Sequence, residues 1–112
     1  MTESAWQIFQ MPDLMEKVQG NEPRFFEYLR VPALSSAVYR LPAGSKDMQA
    51  PHLEDEVYVV MEGRARLRID EQEHAIGPGT ILFVQATADH SFFDIEEDLV
   101  VLTFFGTTDP LI

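Results

Sequence analysis

The chain has 112 residues, the size of one domain with a single core, and 46% hydrophobic and 24% charged residues mark it as globular rather than disordered. A formal net charge of −11 argues against nucleic acid as a partner, since affinity for phosphate backbones comes from clustered Lys and Arg. The absence of cysteine removes disulfides, thiolate nucleophiles and Cys-based zinc sites, and fits a reducing compartment.

The N-terminal stretch MTESAWQIFQ lacks the basic region and long apolar run of a secretory signal, and no stretch approaches about 18 apolar residues, so a cytoplasmic protein without a membrane-spanning segment is expected. Trp6, Ile8 and Phe9 read as an apolar arm that docks on the domain. Pro12 followed by DLMEKV predicts a short helix, with proline at its start, acidic residues early and Lys17 late, closed by Gly20 and Asn21. No other helix is expected.

Prolines at 23, 32 and 42 divide the next segment into FFEYLRV and ALSSAVYRL, two runs of strand length. The stretch GSKDMQAPHLEDEVYVVMEG then places a histidine, a carboxylate and an apolar strand in one register. His52 and Glu56 are separated by an even number of residues, so in an extended strand both side chains reach the same face as Tyr58 and Val60. If that face is a core, an imidazole and a carboxylate are buried there, and leaving them unpaired costs on the order of several kcal/mol. A divalent metal would satisfy both groups, because His and Glu are good ligands for zinc and for first-row metals. Val57, Val59 and Met61 are apolar on the opposite face. A small barrel has one interior, so this outer face calls for cover by the arm, another layer or a second copy of the chain, and a homodimer is expected.

After Gly63, RARLRID alternates with Ala65, Leu67 and Ile69 on one face and Arg64, Arg66 and Arg68 on the other, a strand with one buried side. The arginines read as a solvated row offsetting nearby carboxylates, with an anion- or partner-facing patch as the alternative. DEQEH reads as a turn that leaves His74 in solvent, AIGPG as a short strand and tight turn, and TILFV as a strand. ATADHSFFDI, which carries His90, and DLVVLTFFG read as two further strands separated by the acidic EED. Short strands with turn residues between them and almost no helix point to an all-β sandwich or barrel.

Two stretches resemble the two motifs of the cupins, small jelly-roll barrels, also described as double-stranded β-helices. The first family motif runs glycine, five residues, two histidines one apart, three or four residues, glutamate, six residues, glycine. Gly44, Ala50, His52, Glu56 and Gly63 keep its spacing, with Ala50 where the family has its first histidine. The second motif maps onto Gly79, Gln85, Thr87, His90 and Asp94, of which the glycine and the histidine match. The resemblance implies one cupin domain over 1–112, with the arm and helix in 1–23, the barrel in 24–112 and motifs at 44–63 and 79–94. It also implies a divalent metal (iron, manganese, zinc or nickel) held by His52, Glu56 and His90. Gln49 or Asp47 could stand in for the histidine absent at 50, although strict alternation turns both away from the site unless a bulge intervenes.

Tyr58, Phe83, Phe92 and Phe104 read as core, or as the wall of a pocket beside the centre. Two functional classes follow from the resemblance. One is a metal-dependent enzyme of oxygenase-like or isomerase-like chemistry on a small molecule. The other is a binding or sensing module without turnover, including a cupin that has lost its metal and keeps the cluster hydrogen-bonded.

Overall fold

The computed structural model describes residues 5–47 and 53–106. They form one short helix, α1 (Met11–Glu16), and six strands: β1 (Arg24–Val31), β2 (Leu34–Leu41), β3 (Glu56–Ile69), β4 (Gln72–Ile76), β5 (Ile81–Val84) and β6 (His90–Gly106). The strands pair antiparallel in the order β1-β2-β6-β3-β4, and β5 adds to β3 beside its first residues.

The architecture turns on the pairing of β3 with β6. Their register runs from Glu56 opposite Phe105 to Ile69 opposite His90, but it slips three times between Val60 and Arg66. Each slip is a β-bulge or a larger irregularity of the ladder, and such interruptions bend the pair and raise its twist. The two ends of the ladder thereby fold toward each other, and Tyr58 from one end meets Phe92 from the other edge-on, with ring centroids 5.2 Å apart. The core is the set of side chains enclosed by that fold: Tyr39 and Leu41 from β2, Tyr58, Val60, Ala65 and Leu67 from β3, Ile76, Val84, and Phe92, Ile95, Leu99 and Val101 from β6.

Gly63 sits at the bend with φ of 91°, and a Cβ built on it would lie 2.2 Å from the Asp98 carbonyl oxygen. Only glycine allows this approach of the two backbones. The bend is also why two expected breaks are absent. The strand before Gly63 and RARLRID are one strand, and Glu96, Glu97 and Asp98, read as a loop, lie within β6 as three consecutive exposed residues. Asp98 there accepts hydrogen bonds from the Ala43 N–H at 2.8 Å and from Arg40 at 2.9 Å. DEQEH likewise turns only at Asp70 and Glu71; Gln72, Glu73 and His74 belong to β4, and His74 is exposed.

A second, smaller cluster lies on the outer face, where Leu14 of α1 and Val18 cover Val38 of β2 and Val100 of β6. The helix is shorter than the run to Gly20 suggested, and its N-terminal residue Met11 is followed by Pro12, as the sequence signals. The arm docks less fully than expected. Phe9 stacks edge-on against Tyr28 at 4.8 Å, whereas Trp6 and Ile8 remain largely exposed.

Candidate functional site

Glu56 opens β3 and His90 opens β6, and the bend brings these strand ends together inside the core. Both side chains are about 99% removed from solvent, since each is 1% exposed, and His90 Nε2 lies 3.2 Å from Glu56 Oε1. The Tyr58 hydroxyl, two residues along the same face from Glu56, lies 3.1 Å from the same ring nitrogen. On the other side of the ring, Nδ1 is 2.9 Å from the Ala88 carbonyl oxygen. A carbonyl can only accept, so Nδ1 carries the proton and Nε2 is the nitrogen that faces the carboxylate.

Burial pulls the His90 pKa down, but hydrogen bonding to Glu56 and to the Ala88 carbonyl, together with the charges of Glu56 and Asp47, outweighs it and holds the ring above its usual value. The site is therefore one in which positive charge at Nε2 is stabilised.

Asp47 closes the arrangement from the segment before β3. Its Oδ1 accepts from the Tyr39 hydroxyl and its Oδ2 from the Phe92 N–H, both at 2.9 Å, so one carboxylate ties β2 to β6. Burial, followed by the Asp47 charge and its hydrogen bond, pushes the Tyr39 phenol well above its ordinary pKa, and it remains a neutral donor.

Of the metal ligands expected from the sequence, the structure brings together Glu56 and His90. His52, Gln49 and Ala50 lie outside the described residues, and among the described residues no group of three or more His, Asp and Glu side chains is arranged to hold a metal. Of the four aromatic residues, Tyr58 and Phe92 are fully buried at the site. Phe83 and Phe104 pair with Val57 on the opposite face, and Phe83 is 61% exposed, so neither walls this centre. Tyr39 and Asp47 were not singled out as a pair by sequence reasoning. The signal for Tyr39 was its register with Ala37 and Leu41 on the inner face of β2, all three being buried.

The donor chemistry can be compared with what a metal needs. Two donors held about 2.1 Å from one cation at tetrahedral or octahedral angles stand about 3.0–3.4 Å apart. The 3.2 Å between Nε2 and Oε1 falls in that range, and a ring whose Nδ1–H is engaged by a carbonyl is held as metal-binding histidines are. Glu56 and His90 thus fit as two members of a ligand set.

A small antiparallel barrel with a carboxylate and an imidazole buried together at its strand ends is the class of protein this structure defines. The chain belongs to the cupin-domain family, whose model matches residues 37–105. It is 35% identical over 98 residues to an uncharacterized protein of Streptomyces coelicolor, covering 88% of this chain and 93% of that one. Among solved structures it is similar to TT1209 of Thermus thermophilus, with a TM-score of 0.75, 21% identity and coverage of 90% of this chain and 97% of the other. It is also similar to the DMSP lyase DddQ of Ruegeria pomeroyi, with a TM-score of 0.73 and 16% identity over 81% of this chain. This chain spans about half of the lyase (50%), and at these identities both likenesses concern the fold. No helix among the described residues is long and apolar enough to cross a membrane.

Proposed function

We propose that this cupin holds a divalent metal, drawn from iron, manganese, zinc or nickel, through His52, Glu56 and His90, with Gln49 as a further donor, and that it binds or transforms a small molecule beside that centre. The observation that carries this reading is the orientation and spacing of the described pair: Nε2 of His90 directed at Glu56 Oε1 across 3.2 Å, with Nδ1–H fixed on Ala88. A metal bound there would supply Lewis-acid polarisation of a substrate oxygen, or redox chemistry if the ion is iron or manganese. The chain's own residues supply the frame. Glu56 and His90 bring one negative charge and one neutral ring to the ligand set, and the Tyr58 hydroxyl stands within hydrogen-bond reach of the same nitrogen as a donor for a bound molecule. The reading covers turnover of an oxygenase-like or isomerase-like kind, and it includes a homodimer.

A metal-free cluster is the second reading, favoured by the same short contact, since a protonated His90 would satisfy Glu56 directly. Elemental analysis of protein purified without a metal-binding tag separates the two. The wild type and His74→Gln should retain the same metal, while Glu56→Gln should lose most of it, because a neutral amide replaces a charged ligand. Negligible metal in the wild type, or content insensitive to changes at both His52 and Glu56, would overturn the metal reading. Retained iron together with dioxygen consumption in the presence of a small carbonyl or phenolic compound would mark an enzyme, and tight retention of an unchanged molecule a binder.

A further inference from the structure

The inner face of β1, β2 and β6 carries an aromatic surface that the core does not use. Phe25 stands opposite Tyr39 in the β1–β2 register, yet it is 52% exposed where Tyr39 is buried. Its ring lies 5.7 Å from Tyr39 and 6.3 Å from Phe105, tilted 57° to the latter, so the two phenyl rings form an open V. Phe105 is directly opposite Glu56 on β3 and Ser35 on β2, which places these three side chains in one row on one face of the sheet. A cavity of about 250 Å³ opens over this row, lined by Phe25, Phe105, Ser35, Glu27, Arg30 and Glu54.

The charges around it are unequal. Arg30 is held by Glu27 at 2.7 Å, and Glu54 has no ion pair among the described residues, so one negative charge is left over in a chain whose net charge is already −11. Aromatic faces attract cations through their quadrupole, and a carboxylate at the rim adds to that attraction while repelling anions. Building on the reading of Glu56 and His90 as the ligand-binding centre, we propose that this cavity is the adjoining subsite and that it takes a small organic cation with an apolar body, such as an amine or a quaternary ammonium. The apolar body lies in the V of Phe25 and Phe105, and the cationic group faces Glu54.

The test compares three probes of similar size and different charge, benzylammonium, benzyl alcohol and benzoate, by NMR titration of the full chain as purified and after treatment with EDTA. Benzylammonium should bind about tenfold more tightly than benzoate, with benzyl alcohol between them, and the perturbed resonances should include Phe25, Ser35 and Phe105. Phe25→Leu keeps an apolar side chain but removes the ring, and should weaken benzylammonium about fivefold. Glu54→Gln should abolish most of its advantage over benzyl alcohol. Benzoate binding as tightly as benzylammonium to the EDTA-treated protein, perturbations confined to other strands, or a silent Phe25→Leu would each overturn the subsite. Failure of the metal reading looks different: no metal is retained by the wild type, while the order of the three probes persists.

Discussion

Asp47 joins two strands with one side chain, and what it does to Tyr39 can be measured. The phenol is buried, faces a carboxylate and donates to it, and all three effects disfavour the phenolate. Its folded pKa lies above the unfolded value of about 10, so the folded state holds this proton more tightly, and stability should fall as pH rises beyond about 10. A spectroscopic titration of wild type minus Tyr39→Phe should show a phenol that ionises only with alkaline unfolding. If the difference curve instead titrates near 10 with the fold intact, the Tyr39–Asp47 contact is misplaced. At this scale the sequence was informative about Glu56 and His90, because their positions follow from strand parity and motif spacing. Asp47 was harder to place. Parity counted back from His52 turns it outward, but alternation holds only within a strand, and Asp47 lies after the end of β2 at Leu41 and before the start of β3 at Glu56.

Strands β3 and β6 show why local patterns misjudge long elements. A bulge keeps the backbone paired while it shifts the side-chain register, so the outward residues 96–98 resemble a loop in the sequence although the strand continues. β4 begins earlier than the short strand read in AIGPG for a related reason: all but its last residue are exposed, so backbone pairing with β3 holds Gln72, Glu73 and His74 and no alternation marks them. The bend itself depends on Gly63, and two glycines with nearly equal φ isolate the cause. Gly63 and Gly79 have φ of 91° and 90°, but a Cβ at Gly79 meets nothing within 4 Å, whereas at Gly63 it strikes the Asp98 backbone. Gly79→Ala should cost about 1–2 kcal/mol from conformation alone, and Gly63→Ala about 3 kcal/mol or more, since the two backbones must also separate. Urea unfolding of both variants checks this. Equal losses would mean that the close approach at Asp98 is not what shapes the barrel.

Across the whole molecule, the outer face is covered on one side and open on the other. α1 and Val18 shield Val38 and Val100, while Ile81 and Phe83 on β5 are 69% and 61% exposed beside Val57, Val59 and Met61 on β3. Among the described residues the arm does not supply the missing cover, because Trp6 and Ile8 are themselves exposed. An apolar patch of this kind gains by pairing with a second copy, and the opposing term is the repulsion between two chains of charge −11. Those two forces respond differently to salt. Screening weakens the repulsion and leaves apolar burial intact, so the proposed homodimer should tighten as ionic strength rises from about 0.01 to 0.15 M, where the Debye length shrinks from about 30 to 8 Å. Sedimentation at micromolar concentration should therefore show a dimer that is stronger in salt. Phe83→Glu, at a position open to solvent in the single chain, should give a monomer with nearly unchanged thermal stability. A wild-type monomer at both salt concentrations would remove the dimer, and dimers unaffected by Phe83→Glu would place the interface on another face.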